Sequence, residues 1–403
     1  MTRARTTHIA RFVAPALLAL GAAVLPAQES LLPSASWGLA PVVTAWHFST
    51  PLAQSAGGVT DVQQFALPLR ARAVFNERWT FDVTGAAART SVSTKNGDST
   101  QSLTLSGLTD VKLRMSGSFN DDRLLLTGGL NLPTGTTGLN GEQTDVLQVI
   151  GAPALGMPVN ALGIGTGVTL GAVQAIESGD WSFALGGSVE QRTEYTPIAL
   201  ALASGQSLTK VTPGTAVHLS LGSDRPVGDN RLAMLVVADV FSKDKLLLTT
   251  PDATNTSSDY TLGPQVTGLA RYDLAVPGWR SASGTMSLRY RSAFTDQSGS
   301  KVSGSAGSYL EGSLQGIRGG SIGTGLILGV DARYHTGLSF TDALVGTAVR
   351  AGGVTLGVDL PSRTLVSRIA LHGQYGQFNT GTSSTNGMGL SLVWAIAARQ
   401  EAR

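Results

Sequence analysis

The sequence predicts an all-β chain closed into a transmembrane antiparallel β-barrel of about sixteen strands. Three observations carry that reading: period-two alternation of apolar and polar residues, regular exchange of short and long connections, and aromatic residues gathered at strand ends. Phe65, Leu67, Leu69, Ala71, Ala73 and Phe75 share one face of 63–75, while Gln64, Arg70 and Arg72 share the other. Val111, Leu113 and Met115 alternate with Lys112, Arg114 and Ser116, and Met286, Leu288 and Tyr290 with Ser287, Arg289 and Arg291. One apolar face at period two is the pattern of a strand.

The candidate strands are 39–48, 63–75, 79–92, 101–119, 123–132, 160–176, 180–195, 211–222, 230–241, 260–273, 279–293, 306–317, 321–334, 344–360, 365–379 and 386–398. Merging two assignments would reduce the count to fourteen. Short connections at 76–78, 120–122, 177–179, 223–229, 274–278, 318–320 and 361–364 alternate with longer ones at 49–62, 93–100, 133–159, 196–210, 242–259, 294–305, 335–343 and 380–385. Membrane barrels have short periplasmic turns and longer extracellular loops, whereas a sandwich or propeller has no reason to keep its two ends so different. Phe75, Trp79, Phe119, Trp181, Tyr272, Trp279 and Trp394 fall at short-turn ends. Trp46, Phe48, Tyr195, Phe241, Tyr260, Phe294, Tyr309, Tyr334 and Phe378 fall at long-loop ends. The two sets are expected to form aromatic girdles.

Composition agrees. The 403 residues include 50 glycines, no cysteine and only 14% charged residues, against averages of about 7% glycine and about 25% charge. Without cysteine there is no disulfide framework, thiolate metal site, Cys nucleophile or lipoprotein anchor. Mean hydropathy is only +0.12, and no run of eighteen apolar residues follows residue 27, which excludes a helical membrane protein. Arg3, Arg5 and Arg11 precede the apolar stretch Phe12–Val24, and Leu25-Pro26-Ala27 ends in a small residue. Residues 1–27 are therefore expected to be a cleaved secretory signal, followed by a short periplasmic segment, 28–38, the barrel, 39–398, and a tail, 399–403. Cleavage would remove three of the 29 basic residues and none of the 27 acids, so nothing points to nucleic acid. Barrels of this class usually finish on an aromatic residue. Here Leu390, Leu392, Trp394 and Ile396 are followed by Arg399-Gln400-Glu401-Ala402-Arg403.

On the alternation, Arg70, Arg72, Lys112, Arg114, Arg192, Arg289, Arg291, Arg333, Arg350 and Arg368 lie opposite the apolar face, with Asp82, Glu190, Asp239 and Asp331. Charge at the lipid midplane costs about 2–4 kcal/mol per Lys or Arg, so these residues are expected to line the lumen. They form either a basic, anion-attracting wall or a paired wall without selectivity. The longest connection, 133–159, holds Glu142 and Asp145, then an apolar run through Val146, Leu147, Val149, Ile150, Leu155 and Met157. Such a run is poorly suited to a surface loop, and loops this long are usually functional. It is expected to fold inward and narrow the lumen, the alternative being an external hairpin. General porins use the loop at this position as their constriction, and this chain is similar in that respect.

Leu105-Ser106-Gly107-Leu108-Thr109-Asp110-Val111 opens one strand and Leu130-Asn131-Leu132-Pro133-Thr134-Gly135 closes the next, followed by Gly163–Ala172 and Trp181–Gly187. These glycine-rich motifs, over about 85 residues, resemble the outer-membrane channel family associated with the meta-pathway of phenol degradation, a distant relative of long-chain fatty-acid channels. The resemblance implies passage of hydrophobic or aromatic compounds. The Asn-Pro-Ala hatch motif of fatty-acid channels is missing from the mature N-terminus.

The function expected is thus a passive outer-membrane channel for small solutes, with membrane lipid and the barrel-assembly machinery as partners, as a monomer or homotrimer. No cofactor is expected, and His47, His218, His335 and His372 show no metal spacing. The main alternative is a structural or adhesion barrel with a closed lumen. A more remote one is an outer-membrane lipid hydrolase using His218 and Ser220, which alternation places on one face.

Overall fold

The computed structural model describes residues 37–398 apart from 53–57, 76–77, 203–204, 250–254, 297, 320–322, 338–346, 363 and 381–382. The expected signal segment, most of the N-terminal segment and the tail lie outside the described residues. In chain order the first elements are β1 (Trp37–Leu39), β2 (Val42–Leu52), β3 (Gly58–Phe75), β4 (Trp79–Asn96), β5 (Ser99–Leu108), β6 (Val111–Phe119) and β7 (Leu124–Leu132). Helix α1 (Gly141–Ile150) precedes β8 (Gly167–Ser178), β9 (Trp181–Arg192), β10 (Tyr195–Leu202), β11 (Gly205–Thr212), β12 (Ala216–Val227), β13 (Asn230–Phe241), β14 (Lys243–Thr249) and β15 (Asn255–Thr261). The remainder are β16 (Gln265–Leu274), β17 (Trp279–Arg291), β18 (Gly307–Arg318), β19 (Gly325–Thr336), β20 (Thr347–Pro361), β21 (Leu365–Thr380) and β22 (Ser383–Ala398).

Neighbouring strands pair antiparallel around a closed ring of sixteen barrel strands. Two of these are interrupted, β1 with β2 and β5 with β6. The ring shuts where β2 meets β22, with Val42 opposite Val393 and Trp46 opposite Gly389. Pro41, which has no N–H to offer the ladder, separates β1 from β2, while its carbonyl still accepts from the Trp394 amide at 3.0 Å. Closure leaves no open sheet edge in the ring, the condition for a sheet to survive in hydrocarbon.

Alternation sorts each strand into two faces. On β22, Met388, Leu390, Leu392 and Trp394 are exposed, while Gly387, Gly389, Ser391, Val393 and Ala395 are buried. Around the ring the outward face carries Phe65, Leu69, Leu170, Leu185, Leu219, Val236, Leu314 and Leu356, all exposed. Leu170 and Met388 are 65% and 67% exposed. A continuous apolar outer surface of this extent is intolerable in water and is what a bilayer core requires. No helix among the described residues is long and apolar enough to cross a membrane; the crossing is made by strands.

Several connections differ from the sequence expectation. The long connection 93–100 is mostly strand, with only Gly97 and Asp98 as turn between β4 and β5. Most of 196–210 and 242–259 is also strand: β10, β11, β14 and β15 form a four-stranded sheet that prolongs neighbouring hairpins beyond the barrel. Their Thr- and Ser-rich stretches break the apolar alternation, so the sequence reads as loop although the backbones remain paired. In the opposite sense, 160–166 is not strand, since β8 begins only at Gly167. Barrel pairing begins earlier than residue 39, because Trp37 already faces Ala71.

Candidate functional site: the lumen wall and the inward-folded loop

Between β7 and β8 the chain leaves the wall and turns into the barrel. Asn140 caps α1, accepting from the Gln143 amide at 2.9 Å while the Gln143 side chain accepts from the Asn140 amide at 3.1 Å, a reciprocal capping box. Val146, Val149 and Ile150, three and four residues apart, form the buried face. Pro153 opens a short 3₁₀ turn that ends at Gly156, whose φ of +59° favours glycine.

This apolar face packs on wall residues that point inward: Trp46 and Phe48 of β2, Val59 and Val62 of β3, Val92 of β4, Leu103 and Leu105 of β5, Val349 of β20 and Phe378 of β21. Leu155 and Met157, each 2% exposed, complete the cluster, with Leu147 at its edge. The rings of Trp46, Phe48 and Phe378 stack and meet edge to face with centroids 5.2–6.3 Å apart. Two polar contacts fix the register. Trp46 Nε1 donates to the Leu155 carbonyl at 2.9 Å. Gln64 accepts from the Val159 amide at 2.8 Å and donates to its carbonyl at 2.7 Å, as a strand partner would. Of the loop acids, Glu142 is exposed and Asp145 half-buried on the helix. Burial, and then the neighbouring Glu142, raise the Asp145 carboxyl above the ordinary carboxylate range.

The loop's two ends are tied at one point. Thr109 and Asp110 interrupt β5–β6, and the register on β4 slips by one residue there, a bulge. The bulge turns the Asp110 carboxylate inward. It accepts from the Gly135 amide at 2.8 Å, the Ile164 amide at 2.7 Å and Asn131 Nδ2 at 2.8 Å. A Cβ at Gly135 would lie 2.6 Å from the Asp110 carboxylate. The Thr-Asp and Asn-Leu-Pro-Thr-Gly motifs are therefore the two halves of this latch. Both motifs stand out in the sequence, but only the fold brings them together.

The rest of the lumen wall is charged. Arg72 Nε donates to Asp82 at 2.7 Å, with Arg70 at 3.6 Å and Arg114 opposite Asp82 in register. Arg368 and Arg280 share Asp359, whose side chain is 2% exposed, near the turn between β20 and β21. Further out, Arg192 pairs with Glu190 at 2.6 Å. Lys112 shares the inward parity of Arg114 on β6. His218 Nδ1 and Asp239 Oδ1 are 2.7 Å apart, Glu190 faces His218 Nε2 at 3.7 Å, and Gln265 donates to Asp239 at 3.0 Å. His372 and Asp331 lie 2.8 Å apart. His218 and Ser220 do share the inward face, but both nitrogens of His218 are turned to carboxylates rather than to the hydroxyl. Among the described residues no group of three His, Asp or Glu side chains is placed to hold a metal.

Arg289, Arg291 and Arg333 also point inward. Tyr309 stands between Arg289 and His335 in register on β18, with Glu311 one step along the face. Tyr309, Glu311 and His335 are not among the lumen residues expected from the sequence, although alternation with Leu310 and Tyr334 places them on that face. Arg350 is a correction. It lies over the Tyr334 ring at 5.9 Å, on the outward parity of Val354 and Leu356, so it faces away from the lumen. Its place near the long-loop end of β20 lets the guanidinium reach the interface, which removes the cost that had argued for the lumen. Four expected girdle aromatics are corrected likewise: Trp46, Phe48 and Phe378 are buried inside the loop core, and Tyr309 lines the lumen. Tyr290, Tyr334 and Tyr375 supply outward aromatics at that end.

A closed, apolar-belted barrel with a charged interior and a folded-in loop is similar in architecture to outer-membrane channels and porins. No protein-family model matches the chain, and no curated protein matches it in sequence. Among solved structures it is similar in fold to a TodX monoaromatic hydrocarbon channel mutant, at 11% identity and TM-score 0.44 over 93% of both chains. It is similar to the CymD monoaromatic hydrocarbon channel at 9% and 0.42, over 95% of this chain and 94% of that one. For OccK1 (OpdK) of Pseudomonas aeruginosa the values are 10% and 0.40, over 89% and 98%. The likeness is one of barrels; the solutes in those names belong to those proteins.

Proposed function

We propose that the protein is a passive channel of the outer membrane that admits small solutes past the loop spanning 133–166. The observation that supports this most is the division of the inner wall. The loop covers an apolar sector, while the arc from β9 through β19 keeps a charged face, which is worth maintaining only beside water or a polar solute. The family resemblance carried by the glycine-rich motifs from Leu105 to Gly187 implies hydrophobic or aromatic compounds as the solute class. The outer-membrane site agrees with the signal-like leader and implies insertion by the barrel-assembly machinery, as a monomer or homotrimer. Single-channel recording of the refolded protein in a planar bilayer tests the proposal, with stable, ion-selective steps expected. A properly folded but silent barrel would instead support the structural reading. One observation favours that rival: Val42 and Val393 cluster with Ile317 and Ile327 from non-adjacent strands, narrowing the lumen.

A further inference from the structure

On β17, β18 and β19 the inward residues Arg289, Tyr309 and His335 stand directly opposite one another in register. Arg291 and Arg333 flank that row, the first opposite Gly307 and the second opposite Glu311. His335 is 3% exposed, and neither of its ring nitrogens has a hydrogen-bond partner. The Nε atoms of Arg289 and Arg333 are likewise buried without a partner. All three guanidinium groups lie within electrostatic reach of His335.

The partners that do exist hold these groups in place without using those donors. Tyr309 donates to Glu311, and its ring meets the His335 ring edge to face at 6.2 Å. Arg291 lies over Phe294 at 4.7 Å and donates to the Ser305 carbonyl. Arg333 lies over Trp46 at 5.7 Å and donates to Gln374 at 2.7 Å. It also reaches the loop, since a Cβ at Gly156 would fall 2.7 Å from its Nη1. Glu311 is the acid within the row, and Tyr309 occupies one of its oxygens.

Buried donors are normally paired, and a group of orphaned ones calls for an explanation. The Nε–Nη edge of a guanidinium takes a carboxylate with two parallel hydrogen bonds, and it is the Nε of Arg289 and of Arg333 that lacks a partner. We infer that Arg289, Arg291, Arg333 and His335 form a binding station for the carboxylate of a passing solute, on the lumen wall beside the inward-folded loop. The station deepens the channel reading and rests on it: a solute crossing the barrel would exchange its water for these donors. Small carboxylic acids suit the station, since the carboxylate meets the guanidinium groups, while Trp46, buried under the loop, braces Arg333 from behind.

Binding can be read without conduction. Saturation-transfer NMR on the barrel folded in detergent, with benzoate as probe and phenol as its uncharged counterpart, is expected to show benzoate saturated and phenol much less so. Arg289→Ala with Arg333→Ala should abolish the benzoate signal, and Arg289→Lys with Arg333→Lys should restore only part of it, because lysine lacks the fork. Heat-modifiable migration on a gel shows that each variant is folded. Equal signals for benzoate and phenol, or displacement of benzoate by an equal concentration of inorganic phosphate, would overturn the carboxylate station. So would an undiminished signal in the folded double variant. A silent bilayer recording beside intact benzoate binding would instead remove the channel reading and leave the station standing.

Discussion

Two sectors of the same inner wall have opposite chemistry. From β20 through β22 to β5, the residues around the loop are Val349, Phe378, Trp46, Val62, Val92 and Leu105, all buried. From β9 to β19 the same parity carries Glu190, His218, Asp239, Arg289, Arg291 and Arg333. Both arcs belong to one ring with one alternation, so the polarity of the outer face cannot account for the difference. Contact with the loop can. Where the wall meets α1 it is built like a protein core; where it meets the lumen it is built like a solvated surface. Apart from the separate Val42, Val393, Ile317 and Ile327 cluster, the apolar inward residues of this barrel mark the seat of the folded-in loop, and the charged ones line the rest of the wall.

Several changes should break or sharpen this contrast. The largest effect is expected from deleting 144–157, which strips the apolar sector of its cover. Single-channel conductance should rise several-fold, and unchanged conductance would place the loop outside the path. Asp110→Ala leaves the Gly135 and Ile164 amides without their acceptor. With hydrogen bonds to a charged group contributing about 1.5–3 kcal/mol each, the loop should become a preferred site of limited proteolysis while the strands stay protected. Arg289→Ala with Arg291→Ala should shift the reversal potential in a salt gradient toward cations; Arg350→Ala, outside the lumen, should leave it unmoved. A shift with Arg350→Ala would undo the assignment of faces. Gln64→Ala removes a strand-like contact to Val159 and should cost loop docking about 1–3 kcal/mol, read as faster proteolysis near residue 159.

The smallest effect concerns Asp145. Its carboxyl is held above the ordinary range by burial and by Glu142, so docking the loop favours the protonated form. Docking should therefore strengthen as pH falls through that raised value and weaken as pH rises past it. Asp145→Asn should flatten the pH dependence of loop proteolysis. An unaltered profile in this variant would assign the dependence to another group.

How much of this was legible in the sequence follows from where each signal comes from. Alternation in β17 or β22 is dictated by lipid on one side, so the strands, their order and the inward parity of nine of the ten basic residues were readable from single residues. The seat of Val146, Ile150 and Leu155 was readable as an apolar run lacking any reason to be outside. Trp46 and Phe378 were misread because an aromatic at a strand end satisfies either an interface or a core, and only the facing loop decides. Arg350 was misassigned because the cost of a lipid-facing charge falls away near the interface, a distinction of depth that alternation does not carry. The Asp110 latch joins residues 21 to 54 positions apart, beyond the reach of local pattern.

That latch has a consequence for how the segment could change. Residues 135 and 164 are gathered on one carboxylate, so what lies between them is a cassette whose ends are already closed. For such a segment the entropy of joining the ends grows only logarithmically, about 0.6 kcal/mol for each doubling of length. Insertions, trims or whole exchanges of the tip would be felt at the wall residues that seat it and hardly at all by the ring of strands. The inward-folded loop of this barrel can be rewritten without refounding the barrel.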